Sequence, residues 1–192
     1  MILIVDNYDS FVHNLVRYVR EAGFATEVVR NDAMSARDML AQQPDAVIIS
    51  PGPNAPAQAG ASLPLIDILP EETPLLGVCL GHQCLIEAFG GRTRRAKEPL
   101  HGEASAIRHD GSDLFEALPN PFMAGRYHSL IGELGGAPDL SASAWSDAGE
   151  VMAVRRRSAP WYGVQFHPES LLTPDGRRLV SNFLARIADR RR

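Results

Sequence analysis

The sequence predicts an α/β protein: a doubly wound, mostly parallel central sheet flanked by helices, with an antiparallel extension, spanning residues 1–192 as a single domain. Three observations predict it. Four strand-like runs, Met1–Val5, Ala25–Arg30, Ala46–Ile49 and Leu75–Val78, alternate with helical patterns over the first 91 residues. Met1–Val5, Ala46–Ile49 and Leu75–Val78 show no polar alternation, so they read as strands covered on both faces. After Gly91 the pattern breaks into short β-rich pieces with turns between them and no linker, which extends the same sheet in the antiparallel sense.

In chain order, Asp6-Asn-Tyr-Asp-Ser10 turns the chain after the first strand. Ser10 is the expected N-cap of a helix in which Phe11, Leu15, Val19 and Ala22 repeat at helical spacing, and Gly23 closes it. Ser35 and Asp38 stand in a capping-box-like relation at the head of a helix running towards Gln42. Ser50-Pro-Gly-Pro-Asn-Ala-Pro56 is too rich in proline for helix or sheet, so it is an ordered loop at a strand's carboxyl end, where open α/β sheets collect ligands. Ser62–Leu69 forms a third helix, and Leu80 to Phe89 a fourth, stopped by Gly90-Gly91. The β-rich pieces are Ser105–Arg108, Met123–Tyr127, Ala142–Trp145, Val151–Val154 and Tyr162–Phe166. Asp175 to Ile187 closes the chain as a helix with Leu179, Val180, Phe183, Leu184 and Ile187 on one side.

Composition excludes several classes. A net charge of −4 and the lack of a long basic run argue against a nucleic-acid partner; Arg155–Arg157 and Arg190–Arg192 read as solvated ends. No stretch approaches the length of a membrane span. Two cysteines make no disulfide scaffold, and with no basic-then-apolar leader the expected compartment is the cytoplasm. Cys79 and Cys84, five apart on a helix, diverge, so no metal site is expected.

The chemistry centres on Gly77-Val-Cys79-Leu-Gly81, a G-x-S-x-G nucleophile elbow with sulfur in place of the hydroxyl. Glycines on both flanks allow close backbone approach around a strained residue. The helix that follows aims its positive dipole end at the sulfur and favours thiolate over thiol. Gly52, held between Pro51 and Pro53, offers a free N–H, and the Leu80 N–H is placed to meet a developing oxyanion. Cys84 reads as a buried small hydrophobe. A nucleophile needs a base, and among six histidines His167 is the most pointed candidate. Pro168 ends its strand, and Glu169, two residues on, projects to the same side if the backbone is extended, where it can hold the imidazole N–H. His13 and His82 fall on helices and read as packing or capping groups, His101 and His109 fall among turns, and His128 is a supporting histidine.

GVCLGHQ at Gly77–Gln83, SPGP at Ser50–Pro53, RYHSL at Arg126–Leu130 and GVQFHPES at Gly163–Ser170 resemble the class I glutamine amidotransferases, whose fold is flavodoxin-like. DNYDSF at Asp6–Phe11 narrows the resemblance to the glutaminase subunits of anthranilate synthase and aminodeoxychorismate synthase. The resemblance implies that Cys79 attacks the side-chain amide of L-glutamine, His167 exchanges the protons and Glu169 orients His167. It further implies an oxyanion hole from Gly52 and Leu80, substrate contacts from Gln83, Ser129 and Leu130, and a Pro51–Pro53 loop closing over the substrate. No cofactor is implied in this subunit; the implied partner is a chorismate-binding synthase subunit. The alternative is a stand-alone γ-glutamyl cysteine hydrolase, since the same triad would serve it. Two residues depart from the pattern: Asn54 stands where many relatives have glycine, and Glu103 where a lysine is expected.

Overall fold

The computed structural model describes residues 1–97 and 99–190. The first half alternates as expected: β1 (Ile2–Asp6), α1 (Val12–Glu21), β2 (Thr26–Arg30), α2 (Ala36–Ala41), β3 (Ala46–Ile49), α3 (Ser62–Ile68), β4 (Leu75–Val78) and α4 (Leu80–Ala88). The second half is β5 (Arg92–Arg95), β6 (Glu103–His109), β7 (Phe122–Arg126), β8 (Leu130–Glu133), β9 (Leu140–Ser146), β10 (Val151–Arg156), β11 (Trp161–Val164) and α5 (Gly176–Arg190).

Nine strands form one sheet in the order β2-β1-β3-β4-β11-β10-β9-β6-β7. Its parallel half, β2-β1-β3-β4-β11, has the doubly wound 2-1-3-4-5 order with a switch point between β1 and β3. Tyr162–Phe166 was expected in the antiparallel extension, but β11 pairs parallel with β4, Gly163 opposite Gly77 and Val164 opposite Val78, and antiparallel only with β10. A hairpin from β10 returns the chain beside β4, which makes β11 a fifth parallel strand. β5 and β8, outside the expected extension, form a separate two-stranded sheet.

Strand alternation divides the core between the faces of the sheet. Ile2 and Ile4 pack with α1 and α5 through Leu15, Val19, Leu179 and Phe183, while Leu3 and Val5 pack on the other face with Met39, Leu65 and Leu85 from α2, α3 and α4. The four apolar β1 residues, Ile2–Val5, are fully buried, each worth about 1.5–3 kcal/mol.

The cap of α2 follows the sequence reading, with Ser35 Oγ accepting from the Asp38 N–H at 3.2 Å. That of α1 does not. Phe11, not Ser10, is the N-cap residue and makes no side-chain cap bond; Asp9 has taken over that loop, its Oδ2 accepting from the Phe11 N–H at 3.1 Å. The buried stripe is therefore Val12, Leu15, Val16 and Val19, and Phe11 is left 43 % exposed. His13 is exposed rather than packed.

The arginines at 155–157 are not simply solvated. Arg155 pairs with Asp110 at 3.3 Å and Asp113 at 3.0 Å, and the Arg156 guanidinium lies 4.8 Å from the Phe89 ring centre and 4.7 Å from that of Trp161. The expectation for Arg190–Arg192 lies outside the described side chains. Among the described residues no helix is long and apolar enough to cross a membrane, and no cluster of three or more His, Cys, Asp or Glu is placed to hold a metal.

Candidate active site

Cys79 follows β4 directly and caps α4 with φ 51° and ψ −97°, a left-handed backbone that side chains rarely adopt. The flanking glycines are what allow it. A Cβ on Gly77 would come within 2.4 Å of the Gly81 carbonyl oxygen, and one on Gly81 within 2.4 Å of that of Ile49. Leu80 follows Cys79 as the first residue of α4, so its N–H has no helix carbonyl in reach.

His167 comes three residues after β11, the strand beside β4, and the backbone ties the two ends together: the Cys79 N–H donates to Val164 O at 2.8 Å. The His167 N–H donates to Gly125 O at 3.0 Å, and the Thr173 hydroxyl donates to His167 O at 2.6 Å. Nδ1 of His167 meets Oε1 of Glu169 at 2.6 Å, and Glu169 is 1 % exposed. The route to this contact differs from the expected one. The chain is not extended here but turns, with the Ser170 N–H donating to His167 O at 3.2 Å, and the turn folds the carboxylate back onto the ring.

Burial alone would lower the basicity of His167, but contact with Cys79 and with Glu169 outweighs it and holds the pKa well above the usual histidine value. The buried Nε2 makes no hydrogen bond of good geometry, although the sulfur is near enough to exert that effect. A basic nitrogen facing a thiol is suited to take its proton and return it to a leaving group.

Two cavities open onto Cys79. One, of about 140 Å³, is lined by Gly52, Pro53, Asn54, Cys79, Gln83 and residues 127–130, and so contains most of the predicted substrate contacts, Ser129 and Leu130 included. Its size suits a small polar molecule, below the 300–1,000 Å³ of drug-sized sites. The other, of about 410 Å³, is bordered by Tyr8, Asp9, Phe11, Pro51, Tyr127 and His167 among others. A larger space of about 600 Å³ lies around Arg155–Pro160. Its lining includes Ser141, Ser158 and Tyr162 but no cysteine or histidine.

The loop bearing Gly52 is anchored by a residue that the sequence reading passed over. Buried Asn7 donates its backbone N–H to Ser50 Oγ at 2.9 Å and its Nδ2 to Ser50 O at 3.0 Å; its Oδ1 accepts from Asn31 at 2.8 Å and Ser62 at 2.9 Å. Asn54, the first departure, takes φ 71°, a conformation that Asn reaches more easily than other non-glycine residues. Glu103, the second, is exposed at the head of β6 opposite Arg126 in register.

Three further features surround the site. Gln165 is fully buried and donates from Nε2 to Cys79 Sγ at 3.5 Å. The sequence held a signal for it, since it lies two residues before His167 in GVQFHPES. His128 is indeed a supporting group: it accepts at Nε2 from Arg126 Nε at 3.1 Å, so its Nδ1 carries the proton and donates to Leu130 O at 3.0 Å. Burial and Arg126 push it down to about 3, which keeps it neutral. His82 is wholly buried with neither ring nitrogen hydrogen-bonded, and burial lowers it to about 4. His109, expected in a turn, ends β6 and stacks on Phe115 at 4.8 Å, whereas His101 is exposed beside Tyr127. Cys84 is a buried packing residue, its thiol pushed up to about 12 by burial.

Fold and site together are those of an α/β enzyme with a thiol at the carboxyl edge of its sheet. The chain belongs to the class I glutamine amidotransferase family, whose pattern it matches over residues 3–187. It is 46 % identical over 187 residues to aminodeoxychorismate synthase component 2 of Escherichia coli, covering 97 % of this chain and 100 % of that one. It is 45 % identical over 185 residues to aminodeoxychorismate/anthranilate synthase component 2 of Bacillus subtilis, covering 96 % and 95 %. Among solved structures, a putative GMP synthase protein from Thermoplasma acidophilum superposes with a TM-score of 0.88 at 27 % identity, over 99 % of this chain and 94 % of that one.

Proposed function

We propose that this chain is a cytoplasmic glutaminase subunit that hydrolyses L-glutamine and passes the ammonia to a chorismate-using synthase subunit, which makes anthranilate or 4-amino-4-deoxychorismate. The observation that carries the reading is one thiol, strained at a helix N-terminus, bordering the same cavity as a histidine whose Nδ1 is held by a buried glutamate. The names of the relatives support the synthase partner.

In this reading the Cys79 proton passes to Nε2 of His167 and the sulfur attacks the side-chain carbonyl carbon of glutamine. The tetrahedral oxyanion is met by the N–H groups of Gly52 and Leu80. His167 returns the proton to the nitrogen, the C–N bond breaks and ammonia leaves a γ-glutamyl thioester. Water, deprotonated by His167, then breaks the C–S bond and releases glutamate. Glu169 keeps the imidazole in one tautomer and stabilises the imidazolium throughout. The N–H groups of the Gln83 side chain are already committed inside the protein, so its Oε1 is the atom left to accept from substrate. No step calls for a cofactor in this chain.

Ammonia released into water would be protonated and lost. The larger cavity gives it a way out past Tyr8, Phe11 and His101, and exposed apolar residues stand nearby: Tyr8 at 50 %, Phe11 at 43 %, and Leu171, two residues after Glu169, at 93 %. This is the face we assign to the synthase.

The test is steady-state glutamine hydrolysis with and without the co-purified synthase. We expect slow turnover alone, stimulation by the partner, an aminated chorismate product, and loss of hydrolysis in Cys79→Ala. Full activity on γ-glutamyl peptides without a partner would support the stand-alone hydrolase instead. Undiminished hydrolysis by Cys79→Ala would end both readings.

A further inference from the structure

We infer that Gln165 is a catalytic residue: its side-chain amide donates to the sulfur of Cys79, and Gln83 locks it in that orientation, so that the nucleophile and a wall of the substrate cavity are two ends of one amide relay. The inference rests on the reading of Cys79 as nucleophile and extends it to a group that reading does not use.

The orientation of both amides follows from the polar groups around them. Arg126 Nε–H can only donate, so Nε2 of His128 accepts and Nδ1 of His128 donates to Leu130 O. Arg126 is itself fixed by a buried ion pair with Glu150 at 2.8 Å. The Leu130 carbonyl can only accept, so the Gln83 atom 3.1 Å from it is nitrogen, not oxygen. That same nitrogen lies 3.1 Å from the Gln165 side chain, which must therefore present its oxygen to Gln83. The remaining end of Gln165, its NH₂, faces Cys79 Sγ at 3.5 Å. Flipping either amide would set donor against donor or acceptor against acceptor inside a dry site. Gln165 is wholly buried, and buried amides find partners. The sulfur supplies the one its NH₂ needs.

A neutral amide held against sulfur favours the thiolate over the thiol without adding a charge that the leaving group would have to oppose. It also makes the sulfur sensitive to Gln83. A substrate that pulls on Gln83 Oε1 changes the anchor of Gln165, and so the hydrogen bond at Sγ.

The measurement is the pH profile of Cys79 alkylation by iodoacetamide in the full chain, between about pH 5 and 9, where the thiolate is the reacting form. Cys84 does not interfere, because burial holds its thiol at about 12. For Gln165→Met we expect the midpoint to rise by about one unit, with alkylation about tenfold slower on the acid side, the scale of one hydrogen bond to an anion. Gln165→Glu keeps an acceptor for Gln83 but turns an oxygen towards sulfur, and should move the midpoint at least as far. Gln83→Leu leaves the amide in place but unanchored, and should move it less. Should the Met variant fail to fold, Gln165→Glu, of equal volume, carries the test. Parental profiles in folded Gln165 variants would overturn the inference, even if melting temperatures fell, since a purely structural amide would do just that. Alkylation needs no substrate, so a chain that hydrolysed no glutamine would count against the proposed function and leave this measurement standing.

Discussion

Gly52→Ala tests the oxyanion loop through a contact that can be worked out in advance. An alanine Cβ at this position would lie 2.5 Å from both the Cβ and the carbonyl oxygen of Asn7, and 3.0 Å from Cδ2 of Leu80. Ordinary carbon contacts begin near 3.5 Å, so something must move by about 1 Å. Asn7 cannot easily yield, because its side chain and backbone hold Ser50, Asn31 and Ser62 in buried hydrogen bonds. Leu80 is fixed at the head of α4. The exposed side of the loop, Pro53 and Asn54, is free to move, so the loop should swing outward and take the Gly52 N–H with it. An oxyanion donor works within about 2.7–3.1 Å, and losing one costs on the order of 10²–10³ in turnover, or about 2.7–4 kcal/mol of barrier. Glutamine hydrolysis should therefore lose kcat by about two orders of magnitude, with KM changing less. Alkylation of Cys79 should remain near parental, because that thiol is activated by other groups. A Gly52→Ala chain with kcat within about threefold of the parent would refute the assignment of this N–H to the oxyanion.

Two further changes probe the surrounding frame. Burial, and after it the Glu169 carboxylate, raises Asp9 from 3.8 to about 6. The folded chain thus keeps a proton that the unfolded chain releases, and stability falls as pH rises from about 4 to about 6 and then levels off. Asp9→Asn should consequently be more stable than the parent above about pH 6 and lose that advantage below about pH 4; denaturant titrations at both ends check it, and an equal difference at each would sink the argument. Gly176→Ala would set a Cβ 1.8 Å from the carbonyl oxygen of Pro168, between the start of α5 and the loop bearing His167 and Glu169. It should destabilise by about 1–3 kcal/mol or more and reduce hydrolysis; a parental melting temperature would show that the loop yields freely.

The parallel half of the fold was legible because its strands are apolar on both faces and its helices have stop signals, as at Gly23 and Gly90. The candidate site residues stood out because glycine and proline shape the backbone locally around a cysteine and a histidine of distinctive chemistry. What escaped was decided by distant partners. Ser10 has the chemistry of an N-cap, but Asp9 captured the Phe11 N–H and left the helix to start later. Asn7 looked like a turn residue, and only the meeting of β1, β3 and α3 makes it a hub. Arg156 read as a surface charge, but Phe89, far from it in sequence, and Trp161, across the β10–β11 turn, close around it. Gln165 had the right spacing from His167, yet nothing local said that its amide would find a sulfur.

The parallel sense of β11 shows how topology constrains chemistry. β11 has four residues, and at about 3.3 Å per residue it spans roughly 13 Å. Were it antiparallel to β4, the residues following it would emerge at the opposite edge of the sheet from Cys79, beyond the reach of any side chain. Because it is parallel, with Val164 beside Val78, both chains leave the sheet at the same edge, and the first residues beyond each strand are those that must meet. Antiparallel β10 makes this possible by carrying the chain back for a second parallel pass beside β4. The extension of the sheet is therefore part of the site: β7, its far strand, receives the His167 N–H through Gly125 O and, with Thr173 and Glu169, holds the imidazole in place.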